Sequence, residues 1–211
     1  MTDFSKIKKM YKITEPNGFT ETEIESIRSI FGVLPRVLED YYKELGNVKN
    51  LNQTQDRLNR INDFPQCKHA DYLIIYVENQ RGCVWGIHRD DLSKSNPPIY
   101  HSFNEKEWHL ECEKLMEFLE AMAYLQAAFG LNYSSEFFRC VEKEDIDYLR
   151  ENFTNKNVTF QVHCEGIEFF GNHDDTIIML FESGEYFAYS SSSKDHFDEM
   201  NQVLSLLGEE M

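Results

Sequence analysis

Runs of apolar residues separated by polar turns, near the middle of the chain, predict the centre of a β-sheet. The runs Tyr72–Val77 and Cys83–His88 are rich in β-branched and aromatic residues, and a polar segment ending in Gly82 separates them. Such a pair of runs with a glycine-bearing connector is typical of a β-hairpin. The pair Pro97-Pro98 then enforces an extended backbone, and Ile99–Tyr100 predicts the start of a third strand.

Before this sheet, apolar residues recur at helical spacing. Thr20 and Glu23 form a capping-box pattern that predicts a helix ending at Gly32. A second helix is predicted to begin at Leu34-Pro35 and to end at Gly46. The positions expected to face the core are Ile24, Ile27, Ile30 and Phe31 in the first helix, and Val37, Leu38, Tyr41, Tyr42 and Leu45 in the second.

Two further segments have weaker patterns. Residues 1–19 predict either a loosely held arm or an apolar stripe that lies on the core, formed by Phe4, Ile7, Met10, Tyr11 and Ile13. The polar stretch after the second helix predicts a short helix over Gln53–Ile61, through Leu58 and Ile61.

The longest predicted helix runs from about Glu105 to Phe129, behind a Ser102–Glu105 cap. Its apolar residues alternate in steps of four and three, which predicts one buried seam along the helix. That seam comprises Trp108, Cys112, Leu115, Leu119, Met122, Gln126 and Phe129. The opposite, solvent-facing side is expected to carry Glu107, Glu111, Glu113, Glu117 and Glu120.

The last eighty residues continue the alternation of helices and strands. A strand within Phe137–Val141 and a helix over Glu142–Phe153 are predicted first. An antiparallel meander follows, and a cap at Ser190–Ser193 begins the last helix. The predicted meander strands are Val158–Cys164, Ile167–Phe170, Thr176–Phe181 and Tyr186–Tyr189. The pattern as a whole predicts an α+β fold, a mainly antiparallel β-sheet flanked by helices, in a single domain of residues 1–211.

Charge is distributed unevenly along the sequence. The formal net charge is −16, and residues 1–100 hold 14 basic and 14 acidic residues, against 7 basic and 23 acidic in 101–211. An acidic field repels nucleic-acid phosphates and anionic lipids and speeds encounter with a basic partner. We therefore expect no nucleic-acid and no membrane partner. The alternative is that the charge serves solubility alone.

Cysteine use and the N-terminus indicate a compartment. The five cysteines are widely spaced and form no Cys-x-x-Cys pair, which favours free thiols in a reducing environment. The lysines near the N-terminus are not followed by an apolar segment, so no secretory signal is expected. We expect a soluble, cytoplasmic protein.

The residues that could support catalysis do not form a convincing site. His163 and Cys164 are neighbours in a predicted strand, so their side chains are expected on opposite faces and unable to act as base and thiol. His173-Asp174-Asp175 is expected in a solvated hairpin turn, and Ser190–Ser193 as a helix cap rather than a nucleophile.

Metal-ligand spacing is equally incomplete. His109 and Cys112 have helical spacing, but Cys112 falls on the buried seam and no second close pair completes four ligands. Cys67 and His69 lie elsewhere in the sequence. The sequence therefore predicts no catalytic residue, no metal, no cofactor and no enzymatic activity.

The end of the second predicted strand carries candidate residues for a contact surface. Trp85, His88, Asp90 and Asp91 precede a long polar loop, and they predict either a partner-binding surface or a core tryptophan followed by an acidic turn. Glu111, Glu113 and Glu117, on the acidic side of the predicted long helix, are further candidate partner-binding residues.

The run Phe31–Gly46, in which Leu34-Pro35 begins a helix that ends in glycine, resembles the opening of the SUKH superfamily. This group includes the yeast cell-wall synthesis regulator, the Syd protein and many bacterial immunity proteins. The later segments Tyr76–Ile87, Asn96–Tyr100 and Trp108–Leu119 are similar to the core strands and closing helix of that family. The resemblance covers about residues 20–130 and leaves 133–211 as a C-terminal α+β extension.

The resemblance implies a binding domain without catalytic residues. Bacterial members neutralise a cognate toxin, often a nuclease, by direct binding in the producing cell. A basic protein toxin would suit the acidic second half, and a monomer or weak dimer is expected. One alternative is a regulatory or scaffold module with a host-protein partner, like the eukaryotic branch. Another is an enzyme that depends on a thiol or a metal.

Overall fold

The computed structural model describes residues 2–64 and 69–211, and in this part of the chain it has an α+β fold. The helices are α1 (Ser5–Tyr11), α2 (Glu21–Phe31), α3 (Arg36–Leu45), α4 (Lys49–Asn52), α5 (Leu115–Gly130), α6 (Lys143–Asn152) and α7 (Lys194–Leu204). The strands are β1 (Asp56–Leu58), β2 (Tyr72–Glu78), β3 (Val84–His88), β4 (Ile99–Ser102), β5 (His109–Cys112), β6 (Tyr133–Ser134), β7 (Arg139–Cys140), β8 (Asn155–Phe160), β9 (Ile167–Phe170), β10 (Thr176–Phe181), β11 (Tyr186–Ser191) and β12 (Glu209–Glu210).

The chain divides into two compact units, with the boundary inside α5. The first unit comprises Met1–Phe4 and Glu15–Leu119, and the second comprises Ser5–Thr14 and Glu120–Met211. Helix α1 therefore belongs to the second unit although it comes first in the sequence. This assignment changes the charge balance that the sequence suggested. The first unit holds 12 basic and 19 acidic residues and the second holds 9 and 18, so both units are acidic.

An antiparallel sheet of five strands, in the order β1-β2-β3-β4-β5, forms the centre of the first unit. Strands β2 and β3 form the predicted hairpin, and β4 is the predicted third strand, so both predictions are confirmed. One face of this sheet is buried: Trp85 of β3 and Tyr76 of β2 lie beside Phe118, with ring centroids 6.1 and 5.9 Å from it.

Helices α2 and α3 confirm the two predicted helices, including their ends. Thr20 makes the predicted capping box with Glu23, and the helix ends at Gly32, whose φ of 88° favours glycine. All five predicted core positions of α3 are buried. The prediction for α2 is wrong at Ile30, whose side chain is 44% exposed, because the buried stripe passes through Ile24, Ile27 and Phe31 instead.

A buried asparagine links the helices to the sheet. The Oδ1 atom of Asn52 accepts hydrogen bonds from the hydroxyls of Tyr41 (2.8 Å) and Tyr76 (2.7 Å). Its Nδ2 atom donates to the carbonyl of Leu45 at 2.7 Å. Each of these bonds satisfies a polar group that would be costly to bury alone. The short helix α4 is thereby fixed between α3 and β2.

Two predicted elements are wrong. The segment Gln53–Ile61 contains strand β1 rather than a helix, because Asp56–Leu58 pairs with β2. The predicted long helix begins only at Leu115, and strand β5, which pairs with β4, occupies part of its expected length. In both segments the backbone groups form hydrogen bonds within the sheet, and this pairing outweighs the helical spacing of the apolar residues. For residues 1–19 the apolar stripe is the alternative that the structure supports, because helix α1 buries Ile7, Met10 and Tyr11.

The second unit is built on a sheet in the order β12-β7-β11-β10-β9-β8, and β6 also pairs with β11. Strands β8 to β11 form the predicted antiparallel meander, and the helices α6 and α7 lie close to their predicted positions. On one face, Leu149 of α6 and Met200 of α7 pack with Phe187 in a buried cluster. On the other face, Tyr124 of α5 lies 5.7 Å from Phe169, measured between ring centroids.

Among the described residues, no helix combines the length and the apolar character that crossing a membrane requires.

Candidate functional site

Five half-buried rings gather beside one face of the five-stranded sheet. Tyr72 stands at the start of β2, and its ring lies close to four others, those of His69, His88, Tyr100 and Trp108. We call these five residues the aromatic face. The rings of His88 and Tyr100 contact Tyr72 edge-on, with centroids 5.0 and 5.8 Å away. Tyr72 is therefore the centre of the cluster.

The strand register explains why these residues share a face. Tyr72 lies directly opposite His88, and Tyr100 lies opposite Gly86, two positions before His88 in the same strand. Residues two apart on a strand point to the same side of the sheet. Gly86 leaves space above the sheet, since a Cβ atom there would lie 3.3 Å from the ring of Trp108.

Trp108 covers this space. Its indole stacks on Tyr72 with ring centroids 3.8 Å apart and an angle of 8° between the planes. It packs against Ile74, Val77 and Val84, a small buried cluster on the same side of the sheet. The indole Nε1 is buried and has no hydrogen-bond partner among the described residues. The ring is thus held by packing, while a hydrogen-bond donor remains unused.

His69 fixes the arrangement from the loop before β2. Its Nδ1 accepts hydrogen bonds from the backbone N–H groups of Asp71 (3.0 Å) and Tyr72 (3.2 Å). A neutral imidazole whose Nδ1 accepts carries its proton on Nε2, which here lies 3.0 Å from the carbonyl of Glu105. The ring meets Trp108 edge-on at 5.5 Å. Hydrogen bonds on both sides therefore set its orientation.

Carboxylates border the aromatic face. Asp71 and Asp90 are exposed, and Asp90 lies 3.6 Å from Nδ1 of His88. Asp91 pairs with Lys94 at 2.7 Å. Burial, followed by the proximity of Tyr100 and of the carboxylates of Asp71 and Asp91, raises the pKa of Tyr72. Its phenol therefore stays protonated and can donate a hydrogen bond.

The predicted contact surface is only partly brought together. His88 belongs to the aromatic face and Asp90 and Asp91 border it, but Trp85 points to the opposite, buried face. His88 comes three positions after Trp85 along β3, an odd step that reverses the side of the strand. The prediction that Trp85 belongs to a contact surface is wrong, and the alternative of a core tryptophan is correct. The side chain of Trp85 is 0% exposed, and its Nε1 donates a hydrogen bond to Oε2 of Glu111 at 3.3 Å.

The predicted acidic helix face is also wrong. Glu111 lies in β5 and is fully buried rather than exposed on a helix. Glu120, expected on the same side, is buried as well. Glu113 is exposed just before α5, and Glu117 within α5 pairs with Lys114 at 2.8 Å. These glutamates therefore do not form one continuous surface.

His163 and Cys164 are closer than the sequence predicted. They do not lie in a strand but in a short 3-10 turn, where Cys164 has the left-handed angles φ 49° and ψ 41°. The turn brings Sγ of Cys164 within 3.4 Å of Nε2 of His163. The prediction that the two side chains are on opposite faces is wrong, because it assumed an extended backbone.

The residues of the turn His173-Asp174-Asp175 are engaged in ion pairs and ring stacking within the second unit. Asp174 pairs with Lys9 at 2.8 Å, and Asp175 lies 2.6 Å from Nδ1 of His196. The rings of His173 and His196 stack with centroids 3.8 Å apart. The segment His173-Asp174-Asp175 forms the expected turn between β9 and β10.

The remaining thiol and serine predictions have mixed outcomes. Cys112 is buried, as expected, and burial followed by the charge of Glu111 raises its pKa; His109 is exposed. Cys67 lies outside the described residues. Ser193 occupies the N-cap of α7, but its side chain makes no capping hydrogen bond.

Sequence reasoning missed four members of the aromatic face, namely His69, Tyr72, Tyr100 and Trp108. The signal was present in the hairpin, where the first residue of β2, Tyr72, lies opposite the last residue of β3, His88. Trp108 was hidden because helical spacing assigned it to a buried seam. Rigid, half-exposed aromatic rings bordered by carboxylates are suited to binding a partner surface.

Comparison of the chain with family models, with curated proteins and with solved structures found no match. Membership of the SUKH superfamily therefore remains a prediction from the residues that resemble it.

Proposed function

We propose that this chain is a non-catalytic binding protein that neutralises a cognate bacterial toxin, a basic protein such as a nuclease, through the aromatic face. The observation that carries this proposal is the stacked pair of Tyr72 and Trp108, half-exposed and held by neighbouring rings. Apolar side chains pack against Trp108 and carboxylates border the pair, an arrangement that suits binding to a basic surface.

Stacking prepares these rings for binding. Tyrosine and tryptophan are enriched among the residues that dominate protein interfaces, because they bury a large area while losing little side-chain entropy. On the aromatic face that entropy is already lost: Trp108 is fixed by Tyr72 and by the valines beneath it, and His69 by its hydrogen bonds. The phenol of Tyr72, which is half-exposed and protonated, adds a hydrogen-bond donor.

Charge favours a basic partner. Asp71 and Asp90 are exposed at the border of the aromatic face, and both units carry an excess of acidic residues. Complementary charge raises association rates above the roughly 10⁵–10⁶ M⁻¹s⁻¹ of neutral pairs. The resemblance of residues 20–130 to SUKH proteins supports a toxin as the partner, since bacterial members of that group are immunity proteins.

The test is a capture experiment with three tagged, full-length proteins. These are the unsubstituted chain, the double variant Tyr72→Ala/Trp108→Ala, and the control Phe137→Ala/Tyr148→Ala, which removes two exposed aromatic rings of the second unit. Each is incubated with lysate of the native organism and washed at low and high salt. We expect the unsubstituted chain and the control to retain one basic protein, released more readily by salt, and the double variant to lose it.

The captured protein is then expressed in a laboratory bacterium with and without this chain. Growth arrest that the unsubstituted chain relieves, and the double variant does not, would support the proposal. Capture of housekeeping or envelope proteins, with no toxicity to relieve, would instead favour a regulatory or scaffold module. Equal capture by all three proteins would reject the aromatic face.

A further inference from the structure

The turn that holds His163 and Cys164 has a left-handed backbone. Cys164 and Glu165 have φ angles of 49° and 56°, and Gly166 follows with 98°. Only glycine adopts such angles readily, and consecutive non-glycine residues in this region persist only where surrounding contacts impose them.

Contacts within the second unit impose this conformation. The carbonyl of His163 accepts from the N–H of Gly166 at 3.0 Å, and the carbonyl of Cys164 accepts from the N–H of Glu182 at 3.0 Å. The ring of Phe160 meets that of His163 edge-on, with centroids 5.7 Å apart. The imidazole and the thiol are consequently held together.

We propose that Cys164 is a modification site, at which His163 takes the thiol proton and the resulting thiolate reacts with a hydroperoxide. The 3.4 Å separation between Sγ and Nε2 allows direct proton transfer. A thiol beside an imidazole provides more of the nucleophilic thiolate at neutral pH than an isolated thiol does. Cys164 is half-buried, so a small reagent can reach this part of the surface.

The reaction balances with hydrogen peroxide as the oxidant. The thiolate sulfur attacks one peroxide oxygen, an S–O bond forms, and the O–O bond breaks. The leaving hydroxide takes the proton held by His163 and becomes water. Sulfur is oxidised by two electrons to a sulfenic acid, and the peroxide is reduced. This site is independent of the proposed toxin binding.

The other cysteines provide internal standards. Cys140 is exposed, whereas Cys83 and Cys112 are buried. Exposure alone would make Cys140 the most reactive of these four thiols. If the neighbouring imidazole controls reactivity, the order is reversed, and the thiol of Cys164 is modified faster than that of Cys140 at neutral pH. The two explanations therefore give different rankings in one sample.

The experiment treats the native, full-length protein with limiting iodoacetamide from pH 5 to 9 and, separately, with hydrogen peroxide and a sulfenic-acid trap. Mass spectrometry quantifies each cysteine peptide over time. We expect Cys164 to be alkylated about tenfold faster than Cys140 at pH 7 and to give the first sulfenic-acid adduct. His163→Asn should remove the advantage, while the control His173→Asn should keep it.

Protection of the buried thiol of Cys112 from alkylation reports whether His163→Asn is folded. If that variant does not fold, the pH profile of the unsubstituted protein remains decisive: the Cys164 rate should level off at lower pH than the Cys140 rate. Identical profiles, faster reaction of Cys140 at neutral pH, or an undiminished Cys164 rate in folded His163→Asn would overturn the proposal.

Discussion

The five-stranded sheet of the first unit and the seven-stranded sheet of the second are both antiparallel, but their faces are covered differently. In the second unit, α6 and α7 pack on one face and α5 lies against the other, so every residue of β10 is buried. In the first unit, Trp85 and Tyr76 fill one face with Phe118, while the other carries the half-exposed aromatic face.

The way in which each sheet is covered determines whether its side chains contribute to stability or remain accessible to a partner. A sheet whose central strands are covered on both sides has little surface to offer a partner, and its large side chains contribute to the free energy of unfolding. A face of stacked rings that remains half-exposed buries less area within the chain and keeps the rest for an interface. The second sheet therefore contributes mainly to stability, and the proposed binding role falls to the first sheet.

The largest expected effect compares one aromatic ring from each sheet. Phe187 is fully buried, whereas Trp108 is half-exposed. We expect Phe187→Ala to lower the free energy of unfolding by about 3–5 kcal/mol and Trp108→Ala by about 1–2 kcal/mol. Urea denaturation followed by circular dichroism measures both. Equal losses would remove the distinction between the two sheets.

The next prediction concerns a buried carboxyl of the first unit. Burial, followed by the nearby charge of Glu78, raises the pKa of Asp56 to about 7, and a hydrogen bond from the Asn79 backbone opposes this. Because the folded state holds this proton more tightly, stability is lost as pH rises from about 4 to 7. Asp56→Asn should therefore raise the free energy of unfolding by about 2–4 kcal/mol at pH 8 and have little effect below pH 4. Denaturation at the two pH values checks this, and a destabilised variant at pH 8 would contradict it.

A buried histidine in the same sheet has the opposite dependence. Burial, followed by the charge of His109, lowers the pKa of His101 to about 4. The unfolded chain then binds the proton more readily, so stability is lost as pH falls from about 6.5 to 4. In an Asp56→Asn background, where the opposing effect is absent, we expect a loss of about 2–3 kcal/mol between pH 7 and 4 that His101→Leu reduces. If the full loss of stability between pH 7 and 4 remains in the variant that also carries His101→Leu, protonation of His101 is not its cause.

The smallest expected effect on stability comes from Gly86. A methyl group there would lie 3.3 Å from the ring of Trp108 and 3.1 Å from the carbonyl of Leu73, closer than most such contacts. Gly86→Ala should cost about 1 kcal/mol or slightly more and displace the indole, which tryptophan fluorescence would detect. Unchanged fluorescence would show that the aromatic face does not depend on this glycine.

The sequence predicted the regular part of the fold well, because helix caps and strand alternation are local signals. Thr20 with Glu23 and the meander from β8 to β11 are examples. It failed where pairing between distant residues decided the outcome, as at β1 and β5. It found His88 and its acidic neighbours, but the stack of Tyr72 and Trp108 joins residues 36 positions apart and has no local pattern. Likewise, the left-handed turn at Cys164 reversed a conclusion that an extended strand would have justified.

The measurement that tests the central claim most directly is the affinity of the captured partner for single variants of the two units. Titration calorimetry would compare the unsubstituted chain with Trp108→Ala, Tyr72→Ala and the second-unit control Tyr148→Ala. We predict that each substitution on the aromatic face weakens binding by at least about thirtyfold, which corresponds to about 2 kcal/mol, and that Tyr148→Ala leaves it unchanged. Undiminished affinity of folded Trp108→Ala and Tyr72→Ala would contradict the account.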